Sequence, residues 1–228
     1  MNQLLPHRHK ARLFDKLELW PFPNHIPWNG SIIYLDRDGV LNRGSENYIN
    51  TPEELEILPD VANSVAKLKN SGFRLCLVTN QSPINRGLWS HDMLEKIHEK
   101  LILELKETNQ NAELDLILYS PYSPFEESIS RKPNPGMLMA GNIIINTSEN
   151  NKEHINHEEL RTSSLFEEGD MSAMVGDRLY TDMEMADRAG VHGVLVLSGE
   201  ATREDLGVAP QNPSLVVGSV AELCLRTC

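Results

Sequence analysis

The sequence predicts an α/β protein: a mostly parallel sheet with helices on both faces. Three observations predict it. Short runs such as Ile32-Ile33-Tyr34-Leu35 and Leu75-Cys76-Leu77-Val78 are apolar at consecutive positions, as in strands buried on both faces. Stretches with apolar residues at helical spacing lie between such runs, as with Leu94, Ile97, Leu101 and Leu105. The strand-like runs also break into polar clusters, at the strand ends where open parallel sheets bind ligands.

Taken in order, residues 1–30 mix charge, aromatics and proline and read as an N-terminal extension. Trp20, Phe22 and Trp28 are expected there to cover an apolar edge. One domain is expected over residues 31–228. Ile32 to Leu35 opens it as a strand and stops at Asp36-Arg37-Asp38-Gly39. Val61, Val65 and Leu68 then have helical spacing, with Gly72 as the stop. The strand at Leu75–Val78 ends in Thr79-Asn80-Gln81-Ser82, and the helix carrying Leu94 to Leu105 follows. Leu114 to Tyr119 reads as a strand leading to Arg131-Lys132-Pro133, and Met137 to about Ile144 as a helix. Residues 146–170 are polar and rich in Asn, Glu and Ser, which predicts a surface insertion. Met174-Val175 opens onto Gly176-Asp177-Arg178, with a helix from Thr181 to Ala189, a strand from Val191 to Leu197, another at Leu215–Val217 and a final helix from near Val220.

Lys and Arg total 21 against 33 Asp and Glu, a formal charge of −12. That field disfavours loose binding to nucleic acid or to an anionic membrane, but a local cluster of cations can still hold a small anion. Cys76, Cys224 and Cys228 form no C-x-x-C pair, and Cys76 sits in an apolar run as a small buried hydrophobe. With no membrane-length apolar stretch and no signal-peptide pattern, a cytoplasmic protein is the expectation.

The polar clusters carry the chemistry. Asp36 and Asp38 stand two apart at a strand end, and two nearby carboxylates repel unless a cation or proton sits between them. The pair suits magnesium, and with a phosphate present one carboxylate can act as nucleophile and the other as general acid/base. An acidic turn is the plainer reading of D-x-D alone. Thr79 and Asn80 can hold a phosphoryl oxygen or cap a helix. Arg131 and Lys132 can neutralise and grip anionic groups, or form a solvated pair. Asp177 adds a third hard oxygen ligand, or an N-cap.

In sequence order, D-R-D-G-V-L-N, T-N-Q-S, R-K-P and G-D-R-L-Y-T-D resemble the four motifs of the haloacid dehalogenase superfamily over about Ile32 to Leu197. The resemblance implies a Rossmann-like sheet with Asp36 as nucleophile and Asp38 as general acid/base. It also implies Thr79 as phosphate ligand, Lys132 as charge neutraliser, and magnesium held by Asp36, the Asp38 carbonyl and Asp177. Asp182 is expected in a supporting role. The longer strings T-N-Q-S-P-I-N-R-G and R-K-P-N-P-G-M resemble the capless branch that contains heptose-bisphosphate and histidinol phosphatases. The short interval from Thr79 to Lys132 leaves no room for a large cap domain. In that branch Arg131 would contact substrate, with Arg86 nearby.

The resemblance implies a magnesium-dependent phosphomonoester hydrolase that forms an aspartyl phosphate. The substrate expected is a small phosphorylated metabolite, a heptose bisphosphate first and histidinol phosphate next. A polynucleotide 3′-phosphatase is disfavoured because there is no basic stripe, and a non-catalytic binding protein because every catalytic side chain is present. Many relatives carry a zinc-binding loop before R-K-P. Tyr119 to Ser130 holds neither Cys nor His, so structural zinc is not expected. His154 and His157 read as solvated, as does the loop pair Glu126-Glu127.

Overall fold

The structure, a computed structural model, describes residues 4–152 and 170–226. Six parallel strands form one sheet: β1 (Ile32–Leu35), β2 (Arg74–Asn80), β3 (Leu116–Ser120), β4 (Ala173–Gly176), β5 (His192–Val196) and β6 (Leu215–Val217), in the order β3-β2-β1-β4-β5-β6. The helices are α1 (Val61–Asn70), α2 (His91–Thr108), α3 (Gly136–Glu149), α4 (Glu184–Ala189) and α5 (Val220–Arg226).

Period-two geometry explains the apolar runs. Ile33 and Leu35 of β1, Leu75 and Leu77 of β2, and Val175 of β4 face a core shared with α1, α2 and α5. The alternate residues Ile32, Tyr34, Cys76, Val78 and Met174 face a second core built on α3 and α4. Strands covered on both sides have no polar face to show, so the expected two-faced architecture is what forms. The strand order reverses between β1 and β4, and this switch point opens a crevice at the carboxyl ends of the strands.

Three expectations are corrected. The helix expected to end near Ile144 runs on to Glu149, because Asn142 and Asn146 continue it and Glu149 pairs with Arg74 Nε at 2.5 Å. Residues 146–149 are therefore helix, while 153–169, with His154 and His157, lie outside the described residues. The helix expected from Thr181 begins as a π turn over Leu179–Met183 before α4. Trp20 is 65% exposed and Phe22 is buried against the Lys69 and Arg74 cations, so within the trio it is Trp28 that packs on an apolar core. The segment before β1 lies along the domain, with Leu5, Leu13, Phe14 and Leu17 packed against the α3 core. Among the described residues no helix is long and apolar enough to cross a membrane.

Candidate active site

A cleft of about 860 Å³ opens at the switch point, lined by Asp36, Asp38, Thr79, Asn80, Arg131, Lys132 and Asp177 among others. The seven come from the ends of β1, β2 and β4 and the loop after β3, because parallel strands deliver their carboxyl ends to one edge.

Asp36 leaves β1 with its N–H bonded to the Val175 carbonyl of β4. Its Oδ1 accepts the Arg37 N–H at 2.7 Å, and its Oδ2 lies 2.7 Å from Lys132 Nζ. Lys132 Nζ also lies 2.7 Å from Asp182 Oδ1, so one ammonium forms a close ion pair with each of two carboxylates. The Lys132 backbone is fixed from β2: Asn80 Oδ1 accepts its N–H at 3.0 Å and Asn80 Nδ2 donates to its carbonyl at 3.2 Å. The Asn80 amide is thus committed to the lysine loop. Thr79 Oγ1 is buried and accepts from Gln81 Nε2 at 2.9 Å.

Asp177 ends β4. Its Oδ2 accepts the Glu200 N–H at 2.8 Å, whereas its Oδ1 is buried without a hydrogen-bond partner among the described residues, with Arg178 Nε at 3.9 Å. Gly39 and Gly199 close over this carboxylate so tightly that a Cβ on either would collide with it, and Gly39 also needs its φ of +79°. Gly176 likewise leaves room for Asp182 beneath the strand end, where Asp182 Oδ2 accepts the Arg178 N–H at 3.1 Å.

Asp36, Asp177 and Asp182 present carboxylate oxygens all within 4.8 Å of one another. With Lys132 between two of them, the buried set carries −3 + 1 = −2 in formal charge. Burial, and then the crowding of like charges, pushes the Asp36 and Asp177 carboxyls up to about 6; the Lys132 charge opposes this at both. Asp182 is raised for the same reasons. For Lys132 burial opposes the charge, but Asp182 and Asp36 outweigh it and raise the ammonium's pKa. An orphaned carboxylate oxygen in a net −2 cluster of hard oxygens fits a magnesium ion.

Asp38 is held from behind. Its Oδ1 accepts from Arg37 Nε and Nη2 and from Asn42 Nδ2, while Oδ2 accepts from Arg37 Nη2 alone at 2.9 Å. Arg37 is 1% exposed and continues to His98 Nε2 at 3.4 Å, and His98 Nδ1 lies 2.8 Å from His9 Nε2. Burial, followed by the Arg37 charge, keeps His98 well below its usual pKa, so its neutral ring faces the guanidinium.

Arg131 and Lys132 part company: Lys132 is buried at the reaction end, and Arg131 lines the cleft with Nη1 donating to the Tyr122 carbonyl at 2.9 Å. The other cleft-lining arginines are paired, Arg43 with Glu56 and Arg178 with Glu200. Arg131 has no carboxylate within ion-pair distance among the described residues. Arg86 stands off the cleft and donates to the hydroxyl of Tyr48, a cleft residue, at 2.6 Å. Glu126 is engaged rather than free, accepting from Ser123 N–H and Asn85 Nδ2. Sequence reasoning under-read Asp182, which is fully buried at the centre of the cluster, and missed Tyr48, Arg178 and Glu200 on the cleft wall.

A Rossmann-ordered sheet with a lysine-paired carboxylate after β1 and two more carboxylates after β4 defines a haloacid dehalogenase-like hydrolase. A protein-family model described as HAD-hydrolase-like matches residues 129–223. The chain is 34% identical over 181 residues to D-glycero-D-manno-heptose-1,7-bisphosphate 7-phosphatase of Thermosynechococcus vestitus, covering 75% of this chain and 81% of that one. It is 32% identical over 201 residues to D-glycero-beta-D-manno-heptose-1,7-bisphosphate 7-phosphatase of Escherichia coli K12, covering 84% and 90%. Against the Pseudomonas aeruginosa enzyme of that name, identity is 40% over 108 residues, and the match spans 47% of this chain and 60% of the relative's length.

Among solved structures, D,D-heptose 1,7-bisphosphate phosphatase from Bordetella bronchiseptica, complexed with magnesium and phosphate, superposes with a TM-score of 0.68 at 27% identity, covering 86% of this chain and 97% of that one. A protein from Mesorhizobium loti described as HAD-like gives 0.63 at 26% identity, covering 92% and 90%. The chain belongs to the haloacid dehalogenase-like hydrolases, in the family of the heptose-1,7-bisphosphate 7-phosphatases.

Proposed function

We propose that this protein is a magnesium-dependent phosphomonoester hydrolase that acts on a sugar bisphosphate of the heptose class. The observation that carries the reading is the buried Asp36 carboxylate at the cleft floor, aligned by the Arg37 N–H and Lys132 and set in the net −2 cluster. In the reading, an Asp36 oxygen attacks phosphorus and the bond to the sugar oxygen breaks, leaving an aspartyl phosphate. Asp38 gives the leaving oxygen its proton. It then takes a proton from the water that hydrolyses the acyl phosphate, releasing inorganic phosphate and restoring Asp36. Oδ2 of Asp38, which has one donor where Oδ1 has three, is the oxygen free to handle that proton.

Lys132 holds the phosphoryl charge and Asp36, Thr79 supplies a hydroxyl at the β2 end, and Asp36, Asp177 and the Asp38 carbonyl would hold magnesium, with Asp182 beside them. The ion, when bound, offsets the negative charge that the phosphoryl group and carboxylates bring together. Arg131, with no carboxylate within ion-pair distance among the described residues, is assigned to a second anionic group of the substrate. The family assignment supports the heptose class.

A screen of phosphorylated metabolites with magnesium, including heptose 1,7-bisphosphate and histidinol phosphate and scored by released phosphate, tests the assignment. Preferential release from the heptose bisphosphate is expected. A preference for histidinol phosphate, or release from none, would overturn it.

A further inference from the structure

The loop from Pro121 to Ser130 reaches the cleft through Arg131 and is tied both by bonds of its own, such as Ser123 N–H to Glu126 and Ser128 Oγ to Ser130 Oγ, and from outside. A set of outside anchors comes from the segment before β1. His7 makes an antiparallel bridge to Tyr119 at the end of β3, with His7 N–H to the Tyr119 carbonyl at 2.9 Å and Tyr119 N–H to the His7 carbonyl at 3.1 Å. The Leu4 carbonyl accepts from the buried hydroxyls of Ser128 at 2.9 Å and Ser130 at 3.1 Å. The Tyr122 hydroxyl donates to the Leu5 carbonyl at 3.0 Å and lies 3.2 Å from His7 Nε2. The same Tyr122 presents its carbonyl to Arg131 Nη1 at 2.9 Å. One residue therefore joins the N-terminal segment at its hydroxyl and the cleft arginine at its backbone.

We infer that residues 4–9 act as a strap that positions Arg131 for substrate selection, transmitting through Tyr122, Ser128 and Ser130. This deepens the function proposed above and rests on its assignment of Arg131 to the second anionic group. The strap is edge pairing by an extended segment. Backbone bonds give the grip, and three side-chain hydroxyls set where the loop sits against it. Ser128 and Ser130 are buried, so their hydroxyls need protein partners; they lie 2.8 Å from each other, and the Leu4 carbonyl is the acceptor the strap adds for both. Tyr122, Ser128 and Ser130 do not line the cleft, so they act through Arg131 and are positioning residues.

The test uses the full chain with Tyr122→Phe and with the pair Ser128→Ala and Ser130→Ala. These changes leave the Tyr122 carbonyl and the His9 contact to His98 in place. Kinetics are measured on heptose 1,7-bisphosphate and on p-nitrophenyl phosphate, each also in an Arg131→Ala background. Removing hydrogen bonds of ordinary net worth should raise KM for the bisphosphate about three- to tenfold. kcat/KM for p-nitrophenyl phosphate should stay within about twofold, and the KM effect should vanish in the Arg131→Ala background.

Equal losses on both substrates, or an undiminished loss without Arg131, would overturn the strap. Hydrogen exchange of the peptide spanning 121–131 decides the matter independently of substrate. Faster exchange in the variants is expected, and unchanged protection would overturn the proposal. If the wild-type protein releases no phosphate from the bisphosphate, the functional reading fails while exchange still judges the strap. His7→Pro, which removes the N–H bonded to Tyr119, is the second variant should either serine change impair folding, and the same exchange criterion applies to it.

Discussion

Replacing Asp177 with Asn should exchange metal affinity for stability of the metal-free fold. Asp177 is 4% exposed, and burial followed by the Asp36 charge pushes its carboxyl from 3.8 to about 6. A folded pKa above the unfolded one contributes stability that is present below the unfolded value and lost as pH rises through the folded value. The charged Asp177 therefore works against the metal-free fold above about pH 6. A displacement of that size corresponds to about 3 kcal/mol. Asp36 shares the repulsion, so neutralising one partner should relieve about 1–3 kcal/mol.

The amide keeps an oxygen for the Glu200 N–H, so the loop after β5 loses nothing. At about 2–4 °C per kcal/mol for a chain of this length, the unfolding midpoint should rise by roughly 2–12 °C. Scanning calorimetry in a chelator near pH 8 reads this directly, and the gap should close near pH 4, where the wild-type carboxyl takes up its proton. Added magnesium should raise the wild-type midpoint and barely move the variant's. A metal-free variant no more stable than wild type near pH 8, or equal magnesium increments in both proteins, would refute the reasoning.

Three further outcomes follow from the same geometry. Asp36→Asn should abolish phosphate release while circular dichroism and the unfolding midpoint show an intact fold, because an amide is no anionic nucleophile; near-normal turnover would remove Asp36 from that role. Arg131→Ala should raise KM for the bisphosphate by about ten- to a hundredfold, the worth of a charge-assisted hydrogen bond, and slow p-nitrophenyl phosphate much less. Equal losses would place Arg131 at the transferring phosphoryl group. Elemental analysis of the purified protein should find no stoichiometric zinc, since the loop before Arg131 has neither thiolate nor imidazole.

Why some of this site could be read from sequence and some could not has a physical basis. Asp36, Thr79 and Asp177 each come directly after a strand's apolar run, so their place at the carboxyl edge of the sheet follows from strand period and parallel order. Lys132 needed its motif, because a loop lysine is ordinarily solvated; here the Asn80 amide and two carboxylates draw it inside. Asp182 stood at helical spacing, where a cap is the common reading. Its burial depends on a π turn and on Gly176 having no Cβ, and a π turn has no dependable sequence signal.

The segment before β1 was harder still, because its order depends on tertiary contacts. Its prolines and charges give no period, and nothing in Leu4 to His9 marks it as a partner for the distant edge of β3. Yet β3 is one of the two outer strands of the sheet, and an unpaired strand edge attracts any extended segment that can reach it. Tyr119, at the end of β3, and Tyr122 just beyond it offer a stacking face and a hydroxyl to the histidines at 7 and 9. That edge contact sits one residue from the loop that sets Arg131, while His9 reaches His98 and, through Arg37, the back of Asp38. A segment that sequence patterning treats as an appendage thus touches, at one remove, both the residue proposed to choose the substrate and the residue proposed to move the proton. Substitutions in residues 4–9 should therefore appear in kinetics before they appear in stability.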